Sequence, residues 1–382
     1  MIFSGSGKLN NSSGFSMVEM LMALAIFSII TVGVFSALDA QMGHSRKESI
    51  VGQSDIEFIV AKSLIERDLA MAGFGLADDY AGFGPPSPAT EFNPRAYQSV
   101  NSDTAPDELR LMGTALGVNS RQAQGWTYLR AIDESVPSIS YATWSDAREN
   151  LQDGDRVVVM DPSTKTLLGE TDGTDNYWLF EYQGNSAKMT IANPDIAVTP
   201  FSSTSRHVVY GLYGSDNDED DTEATLTPYY SVRYYRSSST FSAETCAEGT
   251  RNLLRAESRK NESPDNGDPV LSCVLDFQVA FGLDRDENDT IETWDDGGET
   301  YVNGYTRENQ RKRLKQVRVY LLVQSGRRDP AYTYPQNSIR VGETLIIDGV
   351  SQTTGRLVTL TDAQKQYRWK LIALNITPRN LR

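Results

Sequence analysis

Gly14-Phe15-Ser16-Met17-Val18-Glu19 opens a run that continues as Met20-Leu21-Met22-Ala23-Leu24-Ala25-Ile26-Phe27 and stays free of charge as far as Leu38. Lys8 is the only charged side chain ahead of it, and Glu19 is the only one between Leu9 and Leu38. At about 1.5 Å per helical residue, the uncharged run crosses most of a bilayer's hydrocarbon core. A secretory signal would place a small-residue cleavage site behind its apolar core, and Ala37-Leu38-Asp39-Ala40 suits that cut poorly. An ordinary anchor would be penalised by Glu19, because a charge inside lipid costs on the order of 2.5–3.5 kcal/mol on insertion scales. The carboxylate at the mouth of the run needs an explanation of its own.

Gly14-Phe15-Ser16-Met17-Val18-Glu19 resembles the prepilin cleavage motif, with Gly14 before the cut, Phe15 just after it and Glu19 as the fifth residue beyond it. The resemblance implies a type IV pilin-like protein. A prepilin peptidase would remove the leader, residues 1–14, on the cytoplasmic side, and the new Phe15 amine would be methylated. The helix would be kept as a single-pass inner-membrane anchor with the head outside the cytoplasm, and after assembly the protein would lie in a pilus at the cell surface. Glu19 would then have an assembly role, pairing with the N-terminal ammonium of an adjacent subunit. In a low-dielectric helical bundle that attraction is large and an unpaired charge is penalised.

Working outward, Val51, Phe58, Ala61, Ile65, Leu69 and Ala72 recur at spacings of three, four or seven. They draw one apolar stripe along a helix. Asp55, Glu57, Lys62, Glu66 and Arg67 lie off it. No proline precedes Pro85, and Gly73-Phe74-Gly75 predicts the stop. The expected pilin helix therefore spans residues 15–75, transmembrane in its first half and packed under a head in its second.

Residues 76–382 read as that head. Short runs rich in Val, Tyr, Leu and Ile alternate with turn clusters, as antiparallel strands do. The expected strands are 108–113, 155–161, 177–183, 187–192, 207–213, 224–236, 273–283, 314–324, 340–347 and 366–376. Leu275, Phe277, Val279, Phe281 and Leu283 alternate strictly, as do Val317, Val319, Leu321 and Val323, so each set predicts one apolar face. Strands grouped behind one N-terminal helix give an α+β fold. Three further stretches narrow the resemblance: Ile65-Glu66-Arg67-Asp68-Leu69-Ala70-Met71-Ala72-Gly73-Phe74, the strand from Val274 to Asp284, and the strand from Leu314 to Val323. With the ending from Tyr367 to Asn380, they resemble the PilW-type minor pilins in order and spacing. That resemblance implies a structural subunit that helps to initiate a type IV pilus beside other major and minor pilins. Residues from about 85 to 265 fall outside it and read as an elaborated or inserted lobe. The tyrosines at 229, 230, 234 and 235 read as strand residues packed against neighbours in preference to an adhesive surface.

The 51 acidic against 36 basic residues leave a net charge of −15, which argues against a nucleic-acid partner, since phosphate needs clustered Lys and Arg. Two histidines and two cysteines support neither a closed thiolate zinc site nor a histidine triad. No nucleophile elbow or phosphate-cradling glycine loop is present, so the chain does not read as an enzyme. Cys246 and Cys273, an even count on an exported chain, predict one disulfide, worth roughly 3–4 kcal/mol by loop closure. Asp284, Asp286, Asn288, Thr290 and Asp295 follow the ligand spacing of a calcium loop. Asp289 stands where the turn glycine belongs and Asp295 is shorter than the usual Glu, so a solvated acidic hairpin is favoured over calcium. The rival functional readings are a type II secretion pseudopilin, an adhesin head carried by a pilin stalk, and a membrane-anchored enzyme.

Overall fold

A computed structural model describes residues 16–78, 95–117, 126–133, 136–140, 150–152, 154–167, 170–172, 175–177, 180–181, 190–191, 206–213, 230–239, 246–258, 267–296 and 301–381. Helix α1 runs Met17–Met71. The chain divides into two units, Met1–Gln53 and Ser54–Arg382, and the division falls within α1.

In the second unit the main sheet has eight antiparallel strands. From edge to edge its path is Tyr97–Val100, Glu108–Gly113, Tyr230–Arg236, Arg251–Ser258, Asp268–Leu283, Leu314–Ser325 and Arg368–Ile376, with Thr293–Asp295 also paired to Asp268–Leu283. One face receives the predicted stripe of α1: Ala61, Ile65, Leu69 and Ala72 are buried with Phe277, Val279, Phe281, Leu283, Val317, Val319 and Leu321. Burying an Ile or Leu side chain in full stabilises by about 1.5–3 kcal/mol, so this face holds the helix end. The other face carries Leu275, Ala280, Tyr320, Leu322 and Trp369, covered by Ile339, Val341, Val358 and Leu360. A separate six-stranded sheet comes from residues 126–213, with Arg206–Tyr213 between Trp126–Asp133 and Arg156–Met160. Residues 85–265 thus supply strands to both sheets.

Two predicted strands are corrected. Leu275 does not share a face with Phe277, Val279, Phe281 and Leu283: the register shifts between Val274 and Asp276, and Cys273 sits at φ +53°. One extra residue in a bulge moves every earlier side chain to the opposite face. The 340–347 run is also two strands. Ser338–Val341 pairs with Arg356–Thr359, and Thr344–Ile347 pairs with Val350–Thr353. Gly342 separates them at φ +144°, where a Cβ would lie 2.1 Å from the Thr354 carbonyl oxygen.

The edge strand Tyr97–Val100 is closed by side chains. Gln310 of helix α2, Arg307–Arg313, accepts the Tyr97 N–H at 3.3 Å and donates to the Tyr97 carbonyl at 2.7 Å. Asn303 accepts the Ser99 N–H at 3.1 Å and donates to its carbonyl at 2.6 Å. Two amides thereby stand in for a further strand, one way that proteins protect a sheet edge.

Candidate functional site

At the start of α1 the Glu19 carboxylate is exposed and accepts the Ser16 N–H at 3.0 Å. A carboxylate here satisfies an orphan helix N–H and favours the positive end of the helix dipole. Gly14 and Phe15 lie outside the described residues. From Met17 to Asp39, 23 residues form a helix long and apolar enough to cross a membrane, and none of its apolar window is buried among the described residues. Two of its hydroxyls turn inward on the helix: Ser28 donates to the Ala25 carbonyl at 2.8 Å and Thr31 to the Phe27 carbonyl at 2.7 Å. Each bond satisfies a donor that lipid would leave without a partner. Such a surface can sit in a bilayer or against other apolar helices.

The other end of α1 is gripped by the head. Asp68 is fully buried, accepts Arg255 Nε at 2.6 Å and accepts the Tyr234 hydroxyl at 2.7 Å. Burial and the neighbouring Asp68 carboxylate push the Tyr234 hydroxyl well above its usual range. The last carbonyls of the helix, which have no intrahelical donor, are met by side chains. Tyr97 Oη donates to Leu69 at 2.5 Å and Asn380 Nδ2 to Ala70 at 2.6 Å, and just past the helix end Arg307 donates to the Gly73 carbonyl at 3.1 Å. Gly73, at φ +85°, turns the chain so that its own N–H reaches the Met112 carbonyl at 2.8 Å. Sequence reasoning placed the stop at Gly73 and packed Tyr234 in a strand, but gave Asp68, Tyr97, Arg255, Arg307 and Asn380 no role of their own; the available sign was Asp68, a charge three residues after Ile65 on the apolar face.

Cys246 and Cys273 are bonded to each other, with Cα atoms 5.3 Å apart. The bridge ends on Cys273 of the central strand, just ahead of the register shift between Val274 and Asp276. There Arg236 donates to the Leu275 carbonyl at 2.8 Å, and Arg356 forks onto the buried Asp276.

The acidic turn after the central strand gathers a different set from the predicted one. Oxygens of Asp284, Asp286 and Glu292 lie within 4.8 Å of one another. Asp295 is away from them on the strand Thr293–Asp295, where it accepts the Val302 N–H at 3.1 Å. Asn288 spends its side-chain oxygen on the Thr290 N–H at 2.8 Å. Asp284, fully buried, accepts the N–H groups of Asn288 and Asp289 and sits 3.0 Å from Lys315 Nζ. Burial raises this carboxyl, but Lys315 and the two N–H groups outweigh it and hold it below the usual range. Calcium takes six to eight oxygens, so these residues meet its demand in part, and Lys315 already neutralises the innermost carboxylate.

Residues 9–35 match the prokaryotic N-terminal methylation motif, and residues 240–380 match the type IV pilus-assembly protein W family. Among solved structures, the chain is similar to a type IV-like pilin from Thermus thermophilus. That likeness has 9% identity and a TM-score of 0.31, and covers 86% of this chain and 96% of that one. No curated protein matches the chain. A methylation motif thus lies on the apolar helix and a match to a pilus-assembly family lies over the strands that grip its far end, which makes the chain similar to type IV pilin-like proteins of the PilW type.

Proposed function

We propose that the chain is a minor pilin: a structural, non-catalytic subunit that enters a type IV pilus and helps to start its assembly. In this reading prepilin peptidase cuts after Gly14 and the Phe15 amine is methylated. The helix then holds the protein in the inner membrane, with the head outside the cytoplasm, until it joins other major and minor pilins. The observation that carries the reading is the uncovered apolar segment Met17–Asp39, whose only acidic residue before Asp39 is Glu19 at its mouth. An apolar surface of that length is stable only in lipid or against other apolar helices, and a filament core of packed pilin helices supplies the second. The direct test is mass spectrometry of the chain from membranes and from sheared pili. The expected result is a methylated Phe15 terminus in both fractions, with fewer pili in a strain lacking the protein. A mature terminus near Gln41 would overturn the reading. A methylated chain found only with a secretion apparatus would assign it to a pseudopilus instead.

A further inference from the structure

The two edges of the main sheet are chemically unequal. Tyr97–Val100 is closed by the amides of Gln310 and Asn303, which bond both N–H and C=O of Tyr97 and of Ser99. The opposite edge strand, Arg368–Ile376, is nine residues long and pairs along its whole length with Leu314–Ser325 on one side. Among the described residues, no other group bonds its backbone. Every second residue therefore turns an N–H and a C=O outward, a row that only another extended chain satisfies in full.

The side chains of this strand fit such a partner. Its charges sit at one end: Arg368 pairs with Asp329 at 3.3 Å and Lys370 with Asp55 at 2.9 Å, and both cations stay about half exposed, at 48% and 46%. The remainder, Leu371-Ile372-Ala373-Leu374-Asn375-Ile376, carries no charge to repel an added strand. Leu371 is 43% exposed, while Ile372 and Leu374 point into the core beneath α1. Lys370 also lies over the Phe58 ring of α1 at 4.9 Å, so the open edge runs beside the helix that the pilin reading places among neighbouring subunits.

We propose that Arg368–Ile376 is a strand-addition site, occupied in the filament by one extended segment of a different pilin that brings a carboxylate to Lys370 and Arg368. The proposal rests on the pilin reading. A second copy of this chain fits less well: two such edges paired antiparallel about Ile372 would set each Lys370 against Leu374 and offer it no carboxylate.

The test compares the full-length chain in detergent with the same chain in sheared pili. By hydrogen exchange with mass spectrometry, alternate amides of residues 368–376 should exchange at least tenfold more slowly in pili, while those of Tyr97 and Ser99 change little. A benzophenone side chain at Leu371, Ala373 or Asn375 should cross-link to one segment of another pilin, and the same group at Val100 should not. Unchanged exchange in a chain recovered from pili overturns the strand-addition site and leaves the pilin reading standing. Adducts only between copies of this chain overturn the proposed occupant. Absence of the chain from pili removes the pilin reading and this inference with it.

Discussion

Asp68 and Asp55 both lie on α1 and both pair with a basic residue of the head, but at opposite degrees of exposure. Asp68 is fully buried against Arg255, whereas Asp55 and Lys370 are about half exposed. Removing one partner of a buried pair leaves an uncompensated charge and costs about 3–5 kcal/mol, and an exposed pair contributes about 0–1 kcal/mol. Asp68→Ala should therefore lower the unfolding free energy several-fold more than Asp55→Ala, measured by urea titration with tryptophan fluorescence. Equal losses would show that Glu257, which also pairs with Arg255, is enough to hold its charge. Asp107 gives a second residue-scale prediction. Its carboxylate accepts the Val279 N–H at 2.9 Å and the Ser102 N–H at 3.1 Å, pinning residues 102–107 to the central strand. Burial, aided by Asp276 and Asp296, pushes its carboxyl up to about 8, against about 3.9 in an unfolded chain. The folded state then holds a proton that the unfolded state releases, so this group's contribution falls as pH rises from about 4 to about 8. Asp107→Asn should flatten that slope. A wild type and variant with parallel stability profiles from pH 5 to pH 8 would refute the assignment.

At the scale of elements, what could be read in advance followed from side-chain periodicity, and what could not followed from backbone exceptions. The stripe from Ala61 to Ala72 and the alternation from Val317 to Val323 were legible because each repeats the period of its element without interruption. The bulge between Val274 and Asp276 was not, since an extra residue leaves the alternation of types intact and changes only which face each occupies. Arg251–Ser258 escaped for a different reason: Arg255 occupies a buried position, and its buried counter-charge, Asp68, lies 187 residues away in sequence. Helix α2 holds no apolar residue to show a period. Its one local sign was Thr306, whose hydroxyl accepts the Asn309 N–H at 3.2 Å as an N-cap. Of the predicted calcium ligands, Asp284 and Asp286 come together, with Glu292 in the place given to Asp295. The calcium reading now predicts that chelation lowers the thermal midpoint and that Asp286→Ala removes the difference. Bound ion stabilises by RT ln(1 + [L]/Kd), about 2.7 kcal/mol at a hundredfold excess over Kd. Equal midpoints with calcium and with chelator would leave a turn held by Lys315 and its own N–H groups.

For the molecule as a whole, the decisive charge is Glu19. If its carboxylate serves assembly, Glu19→Ala should leave membrane insertion intact, because a charge is removed from the edge of lipid. Entry into pili should fall, and Glu19→Gln, similar in size but uncharged, should fail likewise. Immunoblots of membrane and sheared-pilus fractions, in a strain without the native copy, separate the two steps. Normal incorporation of both variants would sink the assembly role.

The grip on the end of α1 also bears on the order of events during synthesis. The Ala70 carbonyl waits for an Asn380 amide made 310 residues later, and the Gly73 carbonyl for an Arg307 made 234 residues later. At about 5–20 residues per second of translation, the first of these delays is roughly 15–60 s. Throughout that interval the apolar helix has emerged while the surface that receives its far end does not yet exist. A newborn chain therefore needs the bilayer, or a chaperone, as a temporary host for its stalk well before it has a finished head.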